Sequence, residues 1–184
     1  MRGLLGFLPW IVYAVIATGD EWRWGSLAGL LIAAGLVLVE RRAGRTWDQM
    51  VIEVSAVVFF GLMSVLSLAA PRSPLTPYGP ALVNAWLAAT AWGSLAVRKP
   101  FTLGIARTMA PREVWDDPLF HRVNVVITTV WAAAFSVAAV LLALVIVVAP
   151  HATTVVVTIK VVTFVLPAAF TAWYPKRVRR PAAG

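Results

Sequence analysis

The sequence predicts an all-α, polytopic membrane protein: one domain, 1–184, in the form of a bundle of six transmembrane helices with a short interfacial helix between helices four and five. Three observations predict it. Hydrophobic residues make up 60% of the 184 positions and charged residues only 13%, where a soluble domain carries about a quarter charged. The mean hydropathy is +0.82, and the apolar residues gather in six runs. The lysines and arginines between those runs fall on alternate connections. A spanning helix takes roughly 20 apolar residues, so six would use about 120 positions and leave about 60 for loops and tails.

In chain order the runs cover residues 3–18, 24–39, 47–70, 80–97, 123–149 and 153–174. The first two are short for a full crossing and need little tilt or a thin bilayer, whereas the third and fifth are long enough to tilt. Pro9 interrupts the first run and Pro167 the sixth. Each removes a backbone donor and invites a kink, which membranes tolerate when a neighbour takes the freed carbonyl. Residues 98–122 remain as a cytoplasmic interfacial loop and 175–184 as a basic tail.

Charge sets the expected orientation, because short cytoplasmic loops are enriched in Lys and Arg. Of the 16 basic residues, all but three fall on one side: Arg2, Arg41, Arg42, Arg45, Arg98, Lys99, Arg107, Arg112, Arg122, Lys176, Arg177, Arg179 and Arg180. Arg23 and Arg72 fall on the other, and Lys160 lies inside the sixth run. Both termini are therefore expected in the cytoplasm. Trp22, Trp24 and Tyr78 outside, with Trp47, Trp115, Trp173 and Tyr174 inside, stand where aromatic belts form. Arg2 followed by an apolar stretch, with Ala17 and Gly19 after it, also fits a signal peptide. Pro9 and Trp10 in its middle favour a retained helix.

The net charge of +8 is confined to segments between apolar runs, which points to anionic membrane lipids as partners and away from nucleic acid. The absence of cysteine excludes disulfides, thiolate nucleophiles and Cys-ligated metals. Two ionisable residues lie within the runs, where charge is costly and usually functional. Glu53 stands about six residues, roughly 9 Å, from the cytoplasmic end of its helix, and Lys160 about 10 Å from the outer end of its own. At such different depths, Lys160 is expected to snorkel outward and Glu53 to meet Arg41, Arg42 or Arg45. His121 and His151 bracket the fifth run, about 45 Å apart along a helix, so one chain cannot place both on one metal. No cofactor and no catalytic constellation is expected. Small residues at Gly25, Gly29 and Ala33, at Ala85, Ala89 and Gly93, and at Ala132 and Ser136 allow close helix packing. Within one bundle that is ordinary packing, and between copies it would be a homo-oligomer interface.

The connection from Arg98 to Arg122 is the most informative stretch. Pro100 suits a first helical turn, and Phe101, Ile105 and Met109 recur every fourth residue, as in an amphipathic helix lying in the interface. Asp117 reads as an N-cap with Pro118 after it, starting the fifth helix before it enters the bilayer. Asn124 then falls just inside the boundary. Arg98, Lys99, Phe101, Thr102, Arg107, Arg112 and Trp115 are the candidate lipid- or partner-binding residues, and Glu53, Lys160 and Asn124 the candidate intramembrane polar residues.

Lys99-Pro100-Phe101-Thr102, Ala106-Arg107, Pro111, Val114-Trp115, Asn124 and Trp131 together resemble the cytoplasmic loop of uncharacterised bacterial six-pass membrane proteins similar to the intracellular septation protein A family. The resemblance covers the chain between Lys99 and Trp131 and the number of runs, and the first two helices carry none of it. It implies a bacterial inner-membrane protein that acts in envelope maintenance through contacts with other membrane proteins, without enzymatic activity. The expected function is accordingly a non-enzymatic scaffold that binds anionic lipid through its basic cytoplasmic loops. The alternative is a small proton-linked transporter or channel with a site between helices three and six.

Overall fold

The computed structural model describes residues 2–17 and 21–178. Thr18 of the first run, Gly19 after it, and Arg179 and Arg180 of the tail lie outside the described residues. A 3-10 helix over Arg2–Phe7 leads into α1 (Leu8–Ile16), and α2 (Trp22–Arg42), α3 (Val51–Ala69), α4 (Gly79–Ala96), α5 (Phe101–Arg107), α6 (Pro118–Val148) and α7 (Thr153–Val178) follow. α2 packs on α3 and α1 on α2, while α4 and α7 both pack along α6.

Four of these helices, α2, α3, α6 and α7, are long and apolar enough to cross a membrane, and α4 with α5 makes a fifth crossing if the pair, bent by 80°, is counted as one. The chain is a multi-pass membrane protein. The expected count of six is not reached by length because the first run holds only a short apolar helix, Leu5–Ile16, which rises about 18 Å against a core of roughly 30 Å. Part of that run is wound as 3-10 helix, and Pro9 sits where α1 begins, at a position that needs no donor. The segment still passes from one end of the bundle to the other. Gly6 lies against Glu53 in the first turn of α3, and Ala17 lies against Gly25 near the start of α2.

The core is aromatic and is organised around α1. Trp10 packs on Phe59 and Phe60 with ring centroids 5.3 and 5.0 Å apart, and Tyr13 packs on Phe60 at 5.4 Å. Phe7 stacks on Trp131 at 5.6 Å, and Trp131 in turn meets Phe164 at 5.3 Å. One short helix thus joins the α3 rings to those of α6 and α7. The small residues of α2 serve this packing. A Cβ on Gly29 would lie 2.8 Å from the Phe60 ring, and Ala33 is fully buried. Ala132 is buried on α6, whereas Ala85, Ala89 and Gly93 form an exposed stripe on α4. Pro167 is buried within a continuous α7.

Gly29→Val therefore forces the Phe60 ring out of a filled core and lowers stability by about 1–3 kcal/mol. Gly35, also within α2, has nothing within 4 Å of its would-be Cβ, so Gly35→Ala raises stability by roughly 0.5–1 kcal/mol. Thermal unfolding in detergent should move in opposite directions for the two variants.

Candidate functional site

Most of the residues expected to carry function lie at the end of the bundle where α2, α4 and α7 finish and α3 and α6 begin. Two helix stops shape this end. α2 stops through Gly44 at φ +81°, with Arg45 N–H donating to Glu40 O at 3.1 Å. α4 stops the same way through Arg98 at φ +57°, with Lys99 N–H donating to Ser94 O at 2.9 Å. Both have the left-handed closure of a helix C-terminus, which glycine adopts without steric cost and arginine does not. Pro100 then caps α5, whose first N–H, that of Phe101, donates to Ser94 Oγ at 3.1 Å.

The stop turns α5 by 80° against the α4 segment and folds it into the bundle. Phe101 is 2% and Thr102 7% exposed, so both face the interior, where Thr102 Oγ1 donates to Asn124 O at 3.0 Å or shares a proton with Thr128 Oγ1 at 2.7 Å. Gly104 rests on the backbone of Asp48 and Gln49, a close approach that a Cβ would prevent at 2.7 Å. The stripe expected from Phe101, Ile105 and Met109 does not persist, because α5 ends at Arg107 and leaves Met109 68% exposed in the following turn. Asn124 is buried, with Nδ2 donating to Phe120 O at 2.9 Å. Asp117 caps α6 by accepting from Leu119 N–H at 2.8 Å.

The charged residues at this end divide into a buried group and an exposed one. Glu53 meets Arg45, one of its three expected partners, at 3.7 Å. Arg45 also donates to Glu40 Oε2 at 2.9 Å and to Gln49 O at 2.7 Å. Residue spacing alone does not single out Glu40 and Gln49, which reach Arg45 only because the turn after α2 folds back. Arg107 donates to Asp48 Oδ2 at 3.4 Å, and Arg107 and Arg112 each lie over the Trp115 ring, 5.4 and 5.6 Å from its centroid. Arg41, Arg42, Arg98, Lys99, Arg112, Arg122, Lys176 and Arg177 are exposed.

Beside this charge lies a cavity of about 620 Å³ between α5, the turn after it, the start of α6 and the end of α7. Ile105, Val114, Phe120, Val123 and Ala168 line it, with Thr102, Asp117, Asn124 and Thr171 as its main polar groups. A second cavity of about 360 Å³ lies among α1, α4, α6 and α7 towards the other end of the bundle, and Lys160 lines it. Glu53 lines neither, so the two ionisable residues of the apolar runs stand in separate environments. His121 is half-buried at the start of α6 and His151 exposed beyond its end.

No family model, curated protein or solved structure matches the chain.

Removing one member of a buried ion pair strands the other charge and typically costs 3–5 kcal/mol. Arg45→Met is expected to destabilise by about 3 kcal/mol on that basis, and the exposed Arg42→Met by less than about 0.5 kcal/mol, in detergent unfolding. Arg98→Gly relieves the left-handed strain at the end of α4 and should stabilise by about 1 kcal/mol in the same measurement.

Proposed function

We propose that the protein is a non-enzymatic membrane scaffold whose basic end lies at the cytoplasmic face and holds anionic lipid. The observation that carries this reading is the exposed set Arg41, Arg42, Arg98, Lys99, Arg112, Arg122, Lys176 and Arg177 gathered at one end, against Arg23 and Arg72 near the other. Short cytoplasmic connections are the ones enriched in Lys and Arg. On this reading the run through α1 is the sixth crossing, as the contacts of Gly6 and Ala17 at its two ends support. Arg2 and the tail then share the cytoplasmic side.

Each basic residue near an anionic leaflet contributes about 1 kcal/mol of attraction. The apolar cavity beside Arg107 and Arg112 suits an acyl chain from the same leaflet, with the phosphate on the guanidinium groups. The Trp115 ring beneath both arginines holds them in place. Resemblance to the septation protein A family around Lys99 to Trp131 supports an envelope-maintenance role in a bacterial inner membrane, with other membrane proteins docking on the same loop.

The test is the triple variant Arg98→Gln, Lys99→Gln and Arg112→Gln, read by the enrichment of phosphatidylglycerol over phosphatidylcholine among lipids co-purified in nanodiscs. Loss of about 3 kcal/mol of attraction should reduce the enrichment at least tenfold, and raising salt should reduce it in the parent protein. Unchanged enrichment would leave the loop as a connector only.

A further inference from the structure

The second cavity holds chemistry that the basic end does not use. Lys160 lines it from α7, and its ammonium has no ion-pair or hydrogen-bond partner among the described residues. Trp10 and Tyr13 line it from α1. They are 4% and 2% exposed, and Trp10 Nε1 and Tyr13 Oη are buried without a hydrogen-bond partner. Buried donors are nearly always paired, and here two buried donors and one half-buried ammonium stand unpaired on residues of one chamber. The lining contains no carboxylate. Asn84 and Thr163 are the other polar residues of the lining, and Val83, Leu87, Phe135 and Phe164 make its apolar inner walls.

The opening is equally informative. Ile11, Val15, Val161 and Val165 line the cavity and are each at least half exposed. An entrance rimmed by branched aliphatic side chains on two apolar helices faces hydrocarbon, so the ligand enters sideways from the bilayer. α7 has 26 residues and rises about 39 Å, longer than a core of roughly 30 Å. With Lys176 and Arg177 in the headgroups at one end, Lys160 lies about 8 Å below the opposite boundary, within reach of a headgroup through its own flexible stem. A volume near 360 Å³ is that of a small-molecule site.

We infer that this cavity is a binding site for an anionic lipid of the leaflet opposite the basic end, its acidic headgroup held by Lys160 and one acyl chain lying along Leu87, Phe135 and Phe164. A phosphate or carboxylate accepts from the ammonium as from a point charge. The site is independent of the lipid contacts proposed for the basic end.

The experiment uses the full chain in nanodiscs containing phosphatidylglycerol or phosphatidylcholine with a photoactivatable group on the acyl chain, followed by peptide mapping. Cross-links to the peptides holding Phe7–Val15 and Val161–Val165 should favour phosphatidylglycerol at least tenfold. That preference should vanish in Lys160→Met, survive in Lys160→Arg, and survive in the triple variant of Arg98, Lys99 and Arg112. Ala14 is exposed at the cavity, so Ala14→Phe should obstruct it without disturbing the core and should lower cross-linking of both lipids. Equal cross-linking of the two lipids in the parent protein, or a preference that Lys160→Met leaves intact, would overturn the proposal.

Discussion

Thr102 is the joint at which the basic end of the bundle is assembled. Its hydroxyl reaches both the Thr128 hydroxyl and the Asn124 carbonyl on α6, which holds α5 against α6. α5 in turn carries Gly104 onto the backbone of Asp48 and Gln49, and Arg107 onto Asp48. A polar group inside an apolar bundle must find its partner there, so this small hydroxyl network selects one arrangement of α4, α5 and α6. The bend after α4, the seat of the turn before α3 and the wall of the larger cavity all follow from it.

The same demand accounts for the treatment of charge. Glu53 stands where a carboxylate would be costly, and it is tolerated because the chain leaving α2 turns sharply enough at Gly44 to bring Arg45 back over it. Arg45 is shared with Glu40 and the Gln49 carbonyl, which fixes the α2–α3 hairpin more tightly than apolar packing would. Most basic residues outside this network stay exposed. Arg107 belongs to both groups, since it pairs with Asp48 while lying over Trp115 beside Arg112.

α1 shows how a segment too short to count as a crossing can still organise a core. Phe7, Trp10 and Tyr13 repeat every three residues along one face, and that face is covered by Phe59, Phe60, Trp131 and Phe164 from three other helices. Its indole and phenol groups are carried into the interior by this packing and leave two donors without partners. The second cavity is thus a by-product of the same aromatic face that builds the core.

The all-helical class, the long apolar helices of the second, third, fifth and sixth runs and the N-cap at Asp117 are legible in the sequence because hydropathy and capping are local properties of consecutive residues. Glu53 is legible as a partner of Arg41, Arg42 or Arg45, and the turn after α2 selects Arg45. The fate of Phe101, Thr102 and Met109 was not legible. Whether an amphipathic turn lies on a surface or folds inward depends on a backbone stop at Arg98 and on a hydroxyl partner 26 residues away. Composition alone determined that this chain lives in a membrane and that its charge collects at the connections, because the transfer cost of each residue is its own. Only the tertiary structure decided which donors remain unpaired and where the cavities open, because those depend on distances between helices that no spacing along the chain encodes.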